Sequence, residues 1–432
     1  MNGKRLFSLI YIPLMFLVLG IGTASAALFV QCLGDTDGDA IPDPSNPNFD
    51  PNVACMHLTA GDGFSVMADG TNMYNFGFGN YTGNPDLQSV IPNQSLKAQL
   101  PSPLITLRQG QQFYLTLTNV SLVLRPDLFD THSVHWHGFP NAAPIFDGLP
   151  EASPTPNMGA SFTYYYNAAV PGSYFYHCHV EAAEHMQMGM IGNLWVHPGQ
   201  DVLPNGTRLN NHIHTNMGDA DAPPFGDFPG PGDIDQNANG IFDEGEHDRY
   251  VYNDANGLTR YDVEYPVQLT GFDGAFHRAS QAIAALPFAD MKDNYPMING
   301  RGYPETVNPN PIDNQEGFSA QRVPTIINAS AGQRILLRIS NVSTTDIWTV
   351  TTTLGKPFHV VGLGSAMLRG PSGRDTSMKV NVVNVGGGQS YDAILDTAGV
   401  TPGTYFLYTT NLEYLSNDQE ERGGIMTEIR IN

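Results

Sequence analysis

Six histidines and one cysteine crowd into two places in the first half of the chain: His132-Ser133-Val134-His135-Trp136-His137-Gly138, and His177-Cys178-His179 followed by His185 and Met190. Successive residues of a strand face opposite ways, so His135 and His137 share one face while His132 takes the other. By the same parity His177 and His179 share a face and Cys178 points away. Two metal sites, back to back, are the expectation. His132, Cys178, His185 and Met190 would supply two imidazoles, a thiolate and a weak thioether, the trigonal set that selects copper and supports one-electron transfer. A zinc site would usually want a fourth strong ligand. His135, His137, His177 and His179 would supply neutral nitrogens to copper with open positions, where water, oxygen or another small oxidant can sit. Because Cys178 is joined through the main chain to His177 and His179, electrons arriving at the thiolate would have a short covalent route onward.

Each of these residues also has an ordinary reading. Met186 and Met188 lie beside Met190 and are packing residues or a replacement axial ligand. His57, His197, His247, His277 and His359 are read as core or surface histidines.

The elements that must hold such sites are short strands. Gly110-Gln111-Gln112-Phe113-Tyr114-Leu115-Thr116-Leu117-Thr118-Asn119-Val120-Ser121 has a counterpart in Gly332-Gln333-Arg334-Ile335-Leu336-Leu337-Arg338-Ile339-Ser340-Asn341-Val342-Ser343. Pro171-Gly172-Ser173-Tyr174-Phe175-Tyr176 recurs as Pro402-Gly403-Thr404-Tyr405-Phe406-Leu407 at nearly the same separation. Alternating apolar residues in each copy predict strands that bury one face, and Gly 45 and Pro 32 punctuate them. The fold class is therefore all-β, a sandwich in each half with no helical layer. The expected organisation is a signal segment at 1–26, a ligand-bearing domain over 27–200, an acidic linker over 201–260 and a second domain over 261–432.

Length and charge narrow the function. A chain of 432 residues can bury a real core, and Lys+Arg 20 against Asp+Glu 42 gives a net charge of −22 that repels phosphate backbones and anionic lipid. Nucleic acid is a poor partner; metal cations or cationic proteins suit better. Lys4 and Arg5 precede an apolar run from Leu6 to Gly22, and Ala24-Ser25-Ala26 supplies small residues for cleavage, which predicts secretion to a periplasmic or extracellular space. There Cys32 and Cys55 could close a short loop as a disulfide, leaving Cys178 as the unpaired thiol that a metal would explain.

Two acidic segments read as calcium loops. Asp235, Asn237, Asn239, Ile241, Asp243 and Glu246 occupy positions 1, 3, 5, 7, 9 and 12 of the pattern, with Gly240 at the turn. Asp35, Asp37, Asp39 and Asp43 repeat the theme less completely, since Ala40 holds the turn position and no bidentate Glu follows.

With these motifs the sequence resembles the multicopper oxidase and copper nitrite reductase superfamily, built from cupredoxin domains. The resemblance rests on His135-Trp136-His137-Gly138 and His177-Cys178-His179, continued by His185 and Gly189-Met190, and on Asn299-Gly300-Arg301-Gly302-Tyr303-Pro304-Glu305-Thr306 in the second half. It covers most of residues 60 to 432. It implies two cupredoxin-like Greek-key sandwiches, with His132, Cys178, His185 and Met190 as type 1 copper ligands. His135, His137, His177 and His179 then belong to a type 2/type 3 trinuclear site.

The family pattern needs four His-x-His pairs, and the first half supplies two. Where the second half should carry one, Thr352 and Leu354 stand before Gly355, and Tyr408, Thr409 and Thr410 correspond to His177, Cys178 and His179. The second domain is thus expected to be a scaffold without metal. The missing ligands could come from a neighbouring subunit across a two-fold axis in a homo-oligomer, or from His212-x-His214 in the linker, or the site could be simpler. The implied function is a secreted copper-dependent oxidoreductase. Its donor is a small molecule such as a phenol, a metal ion such as Fe²⁺, Mn²⁺ or Cu⁺, or a redox protein, and its acceptor is O2 or another small oxidant. The alternatives are an electron-transfer or copper-binding protein without a complete cluster, and a non-catalytic module.

Overall fold

A computed structural model describes residues 28–139, 143–202, 249–253, 258–369 and 374–432. The signal segment, His212-x-His214, His247 and the calcium loop from Asp235 to Glu246 lie outside the described residues.

The first sandwich is made of two four-stranded sheets. One sheet runs in the order β2 (Asn72–Asn80), β1 (Val53–Val66), β4 (Gln112–Ser121), β6 (Ser161–Asn167), and the other in the order β3 (Ser102–Arg108), β8 (Ile191–His197), β7 (Gly172–His177), β5 (His135–His137). β1 pairs with β4 and β3 with β8 in parallel, and the remaining pairs are antiparallel. The alternation read in residues 112–121 is real. Phe113, Leu115 and Leu117 enter a core with Leu58, Phe76, Tyr164, Tyr176 and Leu194. Each large apolar side chain taken from water there contributes about 1.5–3 kcal/mol. Cys178, Met188 and Met190 belong to that same core.

The second sandwich repeats the plan on a larger scale. Its long sheet runs through Tyr295–Ile298, Val263–Phe272, Arg334–Asn341, Ser390–Asp396, Phe358–Leu363 and Ala366–Met367, with Met378–Val380 against Phe358–Leu363. Its short sheet runs through Ile327–Ala329, Met426–Ile431, Gly403–Thr409, Trp348–Thr352 and Val383–Val385. Leu337, Ile339, Trp348, Val350 and Leu407 meet in its core. The first repeat pair thus occupies matching strands, β4 and Arg334–Asn341, as the sequence comparison expects. The longest described helix, Gly274–Gln281, has eight residues, consistent with the absence of a helical layer.

Buried charge ties the two sandwiches together. The guanidinium of Arg338, wholly buried, donates to Glu264 at 2.8 Å and to Ser173 Oγ of β7 at 3.0 Å, and lies over the Trp195 ring of β8 at 5.0 Å. Glu264 also meets His197 at 2.9 Å, so its carboxylate, although buried, is held down to about 2 by two cationic or donor groups. Arg301, in the segment that resembles a family stretch, donates to the carbonyls of Glu305, Asn308, Asn310 and Gln321. Beside it Gly300 has φ +71° and leaves no room for a Cβ, which would stand 2.7 Å from Leu100 O. That segment is structural.

Cys32 and Cys55 form a disulfide across 23 residues, fastening the N-terminal loop to β1. Loop closure of that length constrains the unfolded chain by about 3 kcal/mol. Replacing both cysteines by serine is expected to lower the denaturant midpoint by that order, and an unchanged midpoint would show that the N-terminal loop folds independently of the crosslink.

Candidate metal centres

β5 and β7 build both centres. In their antiparallel register His135 stands opposite His177, Trp136 opposite Tyr176 and His137 opposite Phe175. Trp136 and Tyr176 enter the core, which turns the histidines on either side of Trp136 to the opposite face. At the end of β7 the chain continues into Cys178, buried among the apolar residues, and then turns through Glu181 (φ 45°) into a one-and-a-half-turn helix, Ala182–Gln187. Cys178 N donates to Met190 O at 3.2 Å and Met190 N donates to His185 O at 2.9 Å, so these three residues are stitched into one loop. Gly189, at φ +112°, allows the return, since a Cβ there would lie 2.8 Å from Phe76 O.

The first group is dry. His132, Cys178, His185 and Met190 are all fully buried. Nδ1 of His185 lies 3.2 Å from Cys178 Sγ and Nδ1 of His132 3.8 Å from it, with the two rings 5.1 Å apart. Ser133 N donates to the same sulfur at 3.4 Å. One ligand atom from each of His132, Cys178 and His185 falls within 4.8 Å of the others. Met190 adjoins them through its main chain. Met186 packs into a separate cluster with Leu100 and Phe175, and Met188 shares the Cys178 core.

The charge balance inside this group is uneven. Burial opposes a charge on His185, yet the sulfur of Cys178 and the carboxylate of Asp130 push its pKa up to about 10. Burial and the neighbouring His185 drive His132 well below its ordinary value. Nε2 of His185 faces Asp130 Oδ2 at 3.4 Å, an outer carboxylate positioned to orient the ring from behind.

The second group lies on the other side of the same strands. The rings of His135, His137, His177 and His179 neighbour one another, with centroids 4.8 Å apart for His135 and His179 and 5.0 Å for His137 and His177. One ligand atom from each of His135, His137 and His177 lies within 4.8 Å of the other two. Two outer nitrogens are anchored on main-chain oxygens: His135 Nδ1 donates to Asp147 O at 2.6 Å and His177 Nδ1 to Cys178 O at 2.7 Å, while the His137 ring lies beside Gly388 of the second sandwich, where a Cβ would stand 3.5 Å from its Nδ1. With Nδ1 donating, the lone pair of neutral His177 sits on Nε2, 3.0 Å from Nε2 of His137. The inward nitrogens of His135 and His177 are thus fixed as acceptors from outside, as metal ligands require. Burial, with the neighbouring imidazoles, holds His137 down to about 4 and His177 to about 3, and His135 below its ordinary value.

The donor set therefore fits copper in both places: a thiol with two Nδ1 atoms in an apolar pocket, and neutral imidazoles at a partly open face. Of the residues read from the sequence, His132, Cys178 and His185 come together in one group and His135, His137 and His177 in the other, with the His179 ring beside the second and Met190 joined to the first through its main chain. Asp130, Asp147, Gly148 and Gly388 carried no sequence signal. Gly148 is needed because a Cβ there would stand 2.0 Å from Val134 O, beside His135. The other described histidines stay apart: His57 on Thr118, His197 on Glu264, His277 between the carbonyls of Tyr74 and Gln187, His359 on Ser377.

The second sandwich has the same strand pair without the chemistry. Thr351 stands opposite Tyr408 and Thr352 opposite Leu407. Matched to β5 and β7, this register puts Thr351 and Thr353 at the places of His135 and His137, one residue earlier than the spacing from Gly355 suggests. Neither register supplies an imidazole.

Residues 86–201 match the family model described as multicopper oxidase. A multicopper oxidase of Talaromyces pinophilus is 30% identical over 118 residues, covering 27% of this chain and 18% of that protein, and a laccase of Emericella nidulans is 37% identical over 84 residues, covering 19% and 13%. The matches thus span less than a fifth of those relatives. Among solved structures, a blue copper oxidase from Nitrosomonas europaea is similar with a TM-score of 0.57 at 21% identity, over 88% of this chain and 86% of that one. A copper nitrite reductase from the same organism is similar with a TM-score of 0.52 at 14% identity, over 88% and 94%. The fold is that of two cupredoxin sandwiches, and the multicopper oxidase likeness in sequence lies in the first of them, which carries both histidine groups.

Only the neutral form of an imidazole coordinates, so protons compete with the metal below the folded pKa. With His137 near 4 and His177 near 3, Cu²⁺ binding by a Cys178→Ser protein is expected to stay constant from pH 7 to about 5 and to weaken as pH falls through about 4. Loss centred on the ordinary value of 6.5, followed by calorimetry, would contradict the buried, outward-anchored tautomers.

Proposed function

We propose that the chain is a secreted copper-dependent oxidoreductase that oxidises a donor beside the Cys178 group and reduces a small oxidant such as O2 at the histidine face. The observation that carries this reading is the shared strand: His177 and Cys178 are consecutive, on opposite faces, and each sits among imidazole nitrogens. Copper, when bound, supplies one-electron redox chemistry at each place.

The residues do the rest. Cys178, His132, His185 and Met190 hold a type 1 ion in a water-free pocket, where little rearranges as its charge changes. His135, His137, His177 and His179 hold the type 2/type 3 copper and leave its outer side accessible. The peptide of Cys178, bonded through its carbonyl to His177 Nδ1 at 2.7 Å, joins the two by a covalent and a hydrogen-bonded route. The net charge of −22 favours cationic donors such as Fe²⁺, Mn²⁺, Cu⁺ or a basic redox protein, and phenols fit a neutral approach. The Cys32–Cys55 disulfide supports an oxidising compartment. We also propose a calcium ion on Asp35, Asp37 and Asp39, whose carboxylates lie within 4.8 Å of one another, with Ala40 taking the turn at φ 66°.

A second reading is favoured by Thr351, Thr353 and Tyr408 where the partner histidines would be: a type 1 electron-transfer or copper-binding protein, with the histidine face only partly metallated. A homo-oligomer that brings another copy's histidines to that face would restore the count for the oxidase.

Copper analysis with paramagnetic resonance separates these readings. The oxidase is expected to hold a blue centre plus non-blue copper, Cys178→Ser to lose the intense colour and all turnover, and His137→Ala to keep the colour and lose turnover by at least a hundredfold. A single blue copper per chain, or turnover indifferent to His137, would favour electron transfer alone.

A further inference from the structure

The turn that carries His185 and Met190 is gripped from the second sandwich. Gln187, buried between those two residues in the chain, sends its amide among Asp273, Asp293 and Thr344. Oriented to satisfy all three, the amide nitrogen donates to Thr344 Oγ1 at 2.9 Å and to Asp293 Oδ1 at 3.3 Å, and the oxygen accepts from Asp273 N. Ser343 Oγ fixes the other oxygen of Asp293 at 2.7 Å. The main chain of Gln187 is held as well. Its carbonyl lies 2.9 Å from Nε2 of His277, a fully buried ring on the helix Gly274–Gln281, whose Nδ1 lies 2.6 Å from Tyr74 O. Phe272 lies against that ring at 4.3 Å and closes on the turn itself, where a Cβ on Gly189 would stand 3.2 Å from Phe272 Cζ.

His277 therefore spans a gap that matters for the first metal group. On one side is β2, where Tyr74 O meets Nδ1, Phe76 N donates to Met188 O at 2.8 Å and the Phe76 ring meets the His185 ring at 5.7 Å. On the other is the turn, in which Cys178 N donates to Met190 O and Met190 N to His185 O. A buried amide whose donors and acceptor are all matched tolerates one placement, because a shift leaves polar groups unpaired. The placement of Gln187 passes to His185, two residues before it, and to Met190, three residues after it. Groups that orient metal ligands from outside tune the metal as well as hold it. The second sandwich, without histidine pairs in its matching strands, supplies this outer support.

We propose that His277 and Thr344 are positioning residues for the Cys178 group, setting the course of the turn from His185 to Met190 through Gln187; this rests on the reading of that group as a type 1 copper site. The test is copper titration of the full-length protein followed by the intense thiolate-to-copper colour, which reports this site alone. Thr344→Val keeps the branched shape and removes the hydroxyl, and His277→Phe keeps a ring and removes its nitrogens. Both are expected to shift the wavelength of the colour and to weaken copper binding there by about tenfold. Thr344→Val decides the matter should His277→Phe not fold. His57→Phe, at a buried ring bonded to Thr118 away from both groups, is expected to lower the melting temperature and leave the colour unmoved. A blue wild type whose wavelength and affinity are kept in Thr344→Val, or moved equally by His57→Phe, would overturn the proposal. A copper-loaded wild type without the colour would overturn the type 1 reading as well.

Discussion

Two short strands, β5 and β7, hold the first half's chemistry in register. Because His135 stands opposite His177, and because side chains alternate along both strands, a single hydrogen-bonded pairing decides which ligands face the core and which face outward. A slip of one residue would bury His135 and His137 and expel Trp136. The apolar packing of Trp136 and Tyr176 against Phe113, Tyr166 and Phe139 therefore sets the metal chemistry as firmly as the ligands do.

The two groups differ in ways that follow from the face they occupy. On the inner face, the Cys178 sulfur is surrounded by apolar side chains, one main-chain N–H and two Nδ1 atoms, and Asp130 stands behind His185. On the outer face, the main-chain oxygens of Asp147 and Cys178 fix the tautomers of His135 and His177, and burial holds the rings of His135, His137 and His177 below their ordinary values without sealing the face. A buried cysteine sulfur and partly exposed imidazoles are different environments, built a residue apart on one chain.

Much of this was legible in the sequence because it depends on local parity. The period of two in residues 132–137 and 177–179 separates the histidines of those segments from Cys178 and His132, and the repeat near Gly110 and Gly332 announces the two sandwiches. What the sequence did not disclose comes from contacts between distant segments. Asp130 and Asp147 are unremarkable acids in loops, and Gly388 lies some 250 residues from the ring it touches. Spacing from Gly355 points to Thr352 and Leu354, whereas the strand register puts Thr351 and Thr353 opposite the β7 counterpart, because the second-half turn before Gly355 is one residue longer than that before Gly138. The acidic segment after residue 202 lies outside the described residues, so its calcium pattern remains a reading of spacing alone.

The contact of Gly388 with His137 bears on how the second half can vary. What Gly388 offers is a close main-chain approach: its φ of +80° favours glycine and a Cβ would stand 3.4 Å from the His137 ring, so the contact depends on that one residue and on where the backbone passes rather than on the side chains around it. A half without its own histidine pairs in the matching strands can vary elsewhere and still brace its neighbour, provided the loop between Val383–Val385 and Ser390–Asp396 keeps its course. Divergence and service are compatible there, whereas at a position such as Cys178 they are not.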